Sequence, residues 1–373
     1  MSTSEASPAQ SGLEGVVVAD TRLSEVDGQR GHLIIAGYSV EDLAGHVPFE
    51  SACWLLWHGK LPDSRQQQEL GRALGEARLK AFEAIPRLGD ALQMSNGMES
   101  LRAAVAHLTA SGSDVISQST DLVAATAVFV AGWMRQREGQ TPLRPDSSLG
   151  HAEDFLRMGL GRSPSAPAVD GLNTYLVTVI DHGMNASTLT ARVVASTGSD
   201  MVSAVTAAVG ALKGPLHGGA PGPVLEMLQS IRSPSRARSW LEAELSQGRR
   251  IMGMGHRIYR VRDPRVAVLE KAIERLARAG LAGKKLQLAR IVEREAERLL
   301  QERHPERALR ANVEFYTAVL LDAIGLPAAA FTTTFAVGRV AGWCAHFIEQ
   351  QKVGRLMRPV SRYVGPWPES VPR

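Results

Sequence analysis

Three of the ten histidines lie in turns marked by glycine or asparagine: His182 in DHGMNAS, His217 in GPLHGGAPGP and His256 in MGMGHRIYR. A neutral imidazole carries one donor and one acceptor and titrates near physiological pH, so a turn that brings it close to a ligand places a proton donor or acceptor there. The stretch around His217 holds four glycines and three prolines in ten residues. Such residues add little to a core; glycine permits close backbone approach and proline fixes the turn. One histidine alone is more often structural than catalytic, and three in this setting shift the balance towards chemistry.

Two further kinds of group belong beside them. Glu314 stands in NVEFYTAVLLDAIGLP, where an apolar helical pattern begins; a carboxylate there is either a catalytic group or ordinary first-turn support for the helix dipole. Arg265 in RDPR, Arg339 in AVGRVAGW and Arg358 in RLMRP sit beside proline or within apolar runs. An unpaired guanidinium in such surroundings is costly, so these arginines call for carboxylate or phosphate partners. Zinc is disfavoured: there is no HExxH, no CxxC and no pair of histidines at helical ligand spacing. A serine nucleophile is disfavoured by the lack of a GxSxG elbow.

The elements that must position these residues are mostly helices. In SDMVSAVTAAVGALKGP, Met201, Val202, Val205, Val209 and Leu212 form one face, Ser199 or Asp200 can cap the start, and Gly214-Pro215 stops the helix. A second helix starts after Asp263, with Pro264 in its first turn and Val266, Leu269, Ile273 and Leu276 as its stripe. Alternation typical of strands is confined to GVVVAD and HLIIAG, with the Asp27-Gly28 turn signal between them. The fold class expected is all-α, with a short N-terminal β segment.

At 373 residues the chain is long for one core, so two lobes around a cleft are expected. Breaks rich in Pro, Gly and Ser fall near 139–149, 162–168 and 214–223. The division expected is a tail over 1–12, a large helical domain from 13–218 and 326–373, and a small helical domain over 219–325. The loop carrying His217 then lies at a hinge.

Forty-two basic and 38 acidic residues leave a net charge of +4, a small excess that suits anionic small molecules. The charged run RIVEREAERLLQERHPER alternates in sign and reads as a solvated helix face, so no nucleic-acid partner is expected. Cys53 and Cys344 are the only thiols and sit in apolar surroundings, as in packed thiols of a reducing compartment. The first twelve residues have no signal-peptide pattern, and the apolar runs LVAATAVFVAGWM and FAVGRVAGWCAHFI are too short or carry an arginine, so no membrane span and a cytoplasmic location are expected.

GPLHGGA, GMGHRIYRVRDPR and NVEFY, in that order, with DHGMNAS upstream and GWCAHFIEQ, RP and YVGP downstream, resemble the citrate synthases. The likeness extends to SEVDGQRGHLIIAGYSVEDLA and WLLWHGKLP and is vaguer over 65–170. It implies the compact bacterial form, acting on oxaloacetate and acetyl-CoA, with the coenzyme A thioester as co-substrate, no permanently bound cofactor and no metal. By this resemblance Glu314 removes the methyl proton, His217 donates to the thioester oxygen, and His256 polarises the oxaloacetate carbonyl. A helix N-terminus following the His217 loop would favour its neutral form.

The resemblance also assigns His182, Arg265, Arg339 and Arg358 to oxaloacetate, the arginines as forks for its carboxylates. Arg358 would reach in from the neighbouring subunit, which implies a homodimer. Ile251, Met252, Gly253, Met254, Gly255 and Arg257 would face coenzyme A, and Arg260 is a further candidate for its phosphates. Three departures from the family pattern stand out: glutamate at 314 where aspartate is commoner, DHG for DHE, and GGAPGP for GGANEA. They bear on acyl specificity, leaving 2-methylcitrate synthase with propionyl-CoA as the alternative; a non-catalytic helical binding protein of the same fold is the competing class.

Overall fold

The computed structural model describes residues 12–13, 15–109, 114–218, 221–256, 258–307 and 309–365. Its one sheet among them is antiparallel, in the order β1 (Ser24–Asp27), β2 (His32–Ile35), β3 (Tyr38–Ser39), with Ser24 opposite Ile35 and Asp27 opposite His32. The expected strand over GVVVAD does not form: Val17 is 83% exposed, and the partner of HLII is SEVD instead. The Asp27 carboxylate accepts from the backbone of Gln29 and Arg30, and Gly31 takes a positive φ. The turn therefore starts at Asp27 itself, which puts the first strand directly before it.

Helices follow as α1 (Val40–Leu43), α2 (Phe49–His58), α3 (Ser64–Ala84), α4 (Gly97–Ala106), α5 (Val115–Arg137), α6 (His151–Leu160), α7 (Ala166–Thr178), α8 (Ala186–Ser196) and α9 (Met201–Leu212). Beyond the His217 loop come α10 (Pro221–Ile231), α11 (Ala237–Ser246), α12 (Pro264–Arg278), α13 (Gly283–Arg303), α14 (Val313–Ala323) and α15 (Phe331–Val353). The all-α class with a small N-terminal sheet is what the chain adopts.

Helix α9 has the expected stripe, with Met201, Val202, Val205, Val209 and Leu212 buried, and its cap is Asp200 rather than Ser199, accepting from the Ser203 amide. Helix α12 begins at Pro264, is capped by Asp263, and buries Val266, Leu269, Ile273 and Leu276 completely. The alternating charges of α13 are mostly exposed, as in Arg298 paired with Glu302, but Glu293 belongs to its buried stripe, where it accepts from Arg262 and the Tyr316 hydroxyl. Helix α5 corrects a length argument: its apolar run belongs to a 23-residue helix, long and apolar enough to cross a membrane, of which 72% of the most apolar window is buried inside the protein. That burial is what a core helix requires.

The most enclosed element is α15, which packs on α5, α8, α9, α2 and α7. Small residues make this possible. A Cβ at Gly338 would crowd Leu176 and Val179, and one at Gly342 would overlap the Ile180 carbonyl, so both positions allow backbone contact with the end of α7. Arg339, lying between those glycines, is thereby carried into the protein interior. Cys53 and Cys344 are buried and unbonded.

Candidate active site

Each turn histidine is held by identifiable neighbours. The last turn of α9 leads into the His217 loop, where His217 N–H donates to the Gly214 carbonyl at 2.9 Å. Gly218 is needed for close approach, since a Cβ there would strike the Leu212 carbonyl. The Ser187 amide donates to His217 Nε2 at 3.3 Å, and Ser187 Oγ lies 2.8 Å from the same nitrogen. With Nε2 accepting, the ring proton stands on Nδ1. Ser187 is itself fixed by Asn185 Oδ1 (2.8 Å) and Trp343 Nε1 (3.2 Å).

His256 follows Met254, which bridges to Ala311, and Gly253 and Gly255, both at positive φ. Its Nδ1 accepts from the amides of Ile258 and Tyr259 at 3.0 and 3.1 Å, which leaves Nε2–H as the free donor. The Tyr259 hydroxyl is 3.1 Å from His182 Nε2. The rings of His182, His256 and Tyr259 are in mutual contact, with centroids 4.7–5.8 Å apart. The loop is tied to the start of α14: Gly255 N–H donates to Arg310, Asn312 N–H to Gly253, and Asn312 Nδ2 to the Gly255 carbonyl. Asn312 also caps α14 by accepting from Glu314 N–H at 3.0 Å.

Two buried arginines join these pieces. Arg265 forms a fork with Asp263, at 3.0 Å through Nε and 2.7 Å through a terminal nitrogen. Arg339 donates from Nε to the Val179 carbonyl at 2.6 Å and stands 4.7 Å over the Phe335 ring. It meets a carbonyl and a π face where the sequence called for a carboxylate; among the described residues it has no ion pair within 4.0 Å. Behind it, Asp181 accepts from Ser24 and faces His346 Nε2 at 3.2 Å.

These contacts set the charge states. Burial, followed by the field of Arg339, lowers His217 to about 4, which favours the neutral form. Burial and then Arg265 lower His256 to about 4. His182 is pushed well below the usual range by burial, Arg265 and Arg339. Glu314 goes the other way: burial raises it to about 7, against the pull of Arg265. Burial lowers Arg339 to about 10. Three neutral imidazoles, one carboxyl poised at neutrality and two guanidiniums thus share one electrostatic neighbourhood, a combination suited to proton transfer next to an anionic ligand.

A cleft of about 700 Å³ opens beside His256, lined by Ile251, Met254 and Gly255 together with Arg249, Arg260 and Arg303. Its basic rim suits a phosphorylated ligand. Met252 and Gly253 adjoin it in sequence; Arg257 lies outside the described residues. Arg358 is the candidate that is not brought to the cluster: it is exposed in the irregular segment after α15, which meets the body where Met357 N–H donates to Ser196. Tyr259, Ser187 and Trp343 carry no mark of a functional role in the sequence and are revealed by contact across the fold, whereas Asn185 and Asp263 act on neighbours two residues away, Ser187 and Arg265.

The family model described as citrate synthase, C-terminal domain, matches residues 12–360. The chain is 36% identical to the 2-methylcitrate synthase of Mycobacterium tuberculosis, covering 95% of this chain and 90% of that protein. It is 37% identical to the citrate synthase of Haloferax volcanii, covering 95% of each. Among solved structures, citrate synthase from Pyrobaculum aerophilum superposes with a TM-score of 0.86 at 33% identity, over 97% of this chain and 94% of that one. The Thermoplasma acidophilum enzyme, solved as a ternary complex with carboxymethyl coenzyme A and oxaloacetate, gives 0.86 at 29% identity over 98% of both chains.

Proposed function

The chain belongs to the citrate synthase family, and from that premise we propose that it condenses acetyl-CoA with oxaloacetate and hydrolyses the resulting citryl-CoA to citrate and coenzyme A. The observation that carries this reading is the placement of Glu314, raised to about 7, within the field of Arg265 and Arg339, the two buried guanidiniums that also act on the neutral imidazole of His182. A thioester methyl group is so weak an acid that a carboxylate can take its proton only if the developing oxyanion is stabilised at the same time.

In this reading Glu314 takes the methyl proton while His217 Nδ1–H donates to the thioester oxygen. The enol carbon then attacks the oxaloacetate ketone, whose oxygen receives the Nε2 proton of His256 as the carbon–carbon bond forms. Water finally cleaves the thioester, releasing coenzyme A as the thiol and citrate as the acid. His182, Arg265 and Arg339 hold oxaloacetate, with Arg358 contributed by a second copy in a homodimer; its exposure on its own chain is compatible with that role. Residues Ile251 to Gly255 and Arg257 face coenzyme A, with the arginine-rimmed cleft beside them. A small lobe over 219–325 closes on oxaloacetate, and the enzyme works in the cytoplasm.

The relatives carry both names, citrate synthase and 2-methylcitrate synthase, at nearly equal identity, which keeps propionyl-CoA as the second reading. The two substrates differ by one methylene, worth only about 1–3 kcal/mol in an apolar pocket. Turnover of each with oxaloacetate decides the matter: kcat/KM favours acetyl-CoA if the first reading holds, and a preference of about tenfold or more for propionyl-CoA replaces it with the second.

A further inference from the structure

One serine of the N-terminal sheet bonds to both chain neighbours of His182. Ser24 Oγ, on β1, donates to Asp181 Oδ2 at 2.5 Å and accepts from the Gly183 amide at 2.8 Å; a hydroxyl has one donor and two lone pairs, so the two bonds coexist. Val26, two residues along the same face of β1, lies against Gly183, where a Cβ would stand 3.1 Å from Val26 Cγ2. Gly183 has a φ of +58°, a conformation that favours glycine, and it is the residue at which DHG departs from DHE. The fully buried Asp181 carboxylate is held from another side as well. His346 Nε2 stands 3.2 Å from both of its oxygens, and Arg192 donates to His346 Nδ1 at 3.0 Å. Since a guanidinium can only donate, His346 Nδ1 accepts and the ring proton sits on Nε2, facing Asp181.

We propose that Ser24 is a positioning residue for oxaloacetate: its two bonds fix the backbone on either side of His182 and so the direction in which that imidazole meets the ligand. The proposal rests on the reading of His182 as a ligand of oxaloacetate. The ring is held at its far end by the Tyr259 hydroxyl, 3.1 Å from Nε2, and a ring fixed at both ends loses less freedom when a ligand arrives. Of the two Ser24 bonds, the one to Asp181 has an ionised acceptor and is the stronger. That acceptor is itself kept in place by the His346 proton, so the clamp runs from β1 through the His182 turn to α15. Ser24 acts on the ligand only through His182.

The test is calorimetric titration of oxaloacetate into the wild-type protein, Ser24→Ala, His182→Ala and the double variant, with steady-state kinetics and thermal melts beside it. Ser24→Ala should raise Kd and KM for oxaloacetate by about 3- to 10-fold, with kcat at saturation within about twofold of wild type. In the His182→Ala background the same change should leave Kd within about twofold, because the serine works through that ring. If Ser24→Ala does not fold, Ser24→Cys keeps the shape with a weaker donor and should shift Kd in the same direction. An unmoved Kd in the folded variant, or an equal loss of affinity with and without His182, overturns the proposal. A Kd unmoved by His182→Ala refutes the ligand assignment and the proposal with it, whereas weaker binding by His182→Ala beside normal binding by Ser24→Ala refutes the Ser24 role alone. Binding is read without turnover, so failure of the condensing reaction would leave these differences in place.

Discussion

Asn312 donates from its amide nitrogen to the Gly255 carbonyl at 2.8 Å, and its side-chain oxygen accepts from Glu314 N–H at 3.0 Å. One carboxamide thus ties the loop that ends in His256 to the first turn of the helix that carries Glu314. The separation of the two candidate catalytic groups is set by this link and by the Gly253 and Arg310 backbone bonds beside it.

Asn312→Ala should therefore cost more than a cap. Loss of an N-cap destabilises by about 1 kcal/mol, while a shift of Glu314 relative to His256 of roughly 1 Å lowers kcat by about 100-fold. Steady-state kinetics beside a thermal melt would separate the two effects; a lower melting temperature with unchanged kcat would show that the tether does not align the site.

Glu314 also makes stability depend on pH. Its folded pKa, about 7, lies above the ordinary 4.5, so the folded state binds more protons than the unfolded one between those values and loses stability as pH rises through that window. Glu314→Gln should melt higher than wild type at pH 8, by an amount corresponding to about 1–3 kcal/mol, and the difference should vanish near pH 4. His217 and His256, both lowered to about 4, act in the opposite sense: they destabilise the fold as pH falls from about 6.5 towards 4, in both proteins alike.

The hydroxyl of Tyr259 orients His182. In Tyr259→Phe the ring packing against His256 remains and only the hydrogen bond is lost, so the affinity for oxaloacetate should fall by about 3- to 10-fold with little change in melting temperature. Calorimetric titration of oxaloacetate gives the number. Unchanged affinity would mean that His182 needs no such support.

Arg339 has a carbonyl and a ring as neighbours but no ion pair within 4.0 Å among the described residues, Asp181 and Glu314 acting on it only through their fields. A dicarboxylate that pairs with it should stabilise the fold, by about 2.7 kcal/mol at a hundredfold excess over Kd. A rise in melting temperature with oxaloacetate, abolished in Arg339→Gln and only partly restored in Arg339→Lys, is the expected pattern. A full rise in Arg339→Gln would place oxaloacetate elsewhere.

Local sequence patterns proved readable where one element decides the outcome. Asp200 and Asp263 cap their helices because an acceptor before an apolar stripe serves the amides that follow it. The motif histidines and arginines stood out because glycine, proline or apolar neighbours surround them. The strand over GVVVAD misled because β-branched residues mark a preference, whereas the turn at Asp27 selects the partner. Tyr259, Ser187 and Trp343 carried no such mark: the Trp343 bond to Ser187 spans 156 residues, and only tertiary packing creates it. The cause of the low His217 pKa was hidden likewise, since Arg339 comes from a helix more than 100 positions away.

The most direct measurement is oxaloacetate-dependent thiol release from acetyl-CoA by the wild-type protein and by Glu314→Gln, with oxaloacetate binding checked in both. If Glu314 takes the methyl proton, wild type releases thiol only with oxaloacetate present, and the variant binds oxaloacetate normally while kcat falls by about 10²- to 10⁴-fold. Turnover by Glu314→Gln within about threefold of wild type would contradict the assignment, because no carboxylate would then be needed at that position.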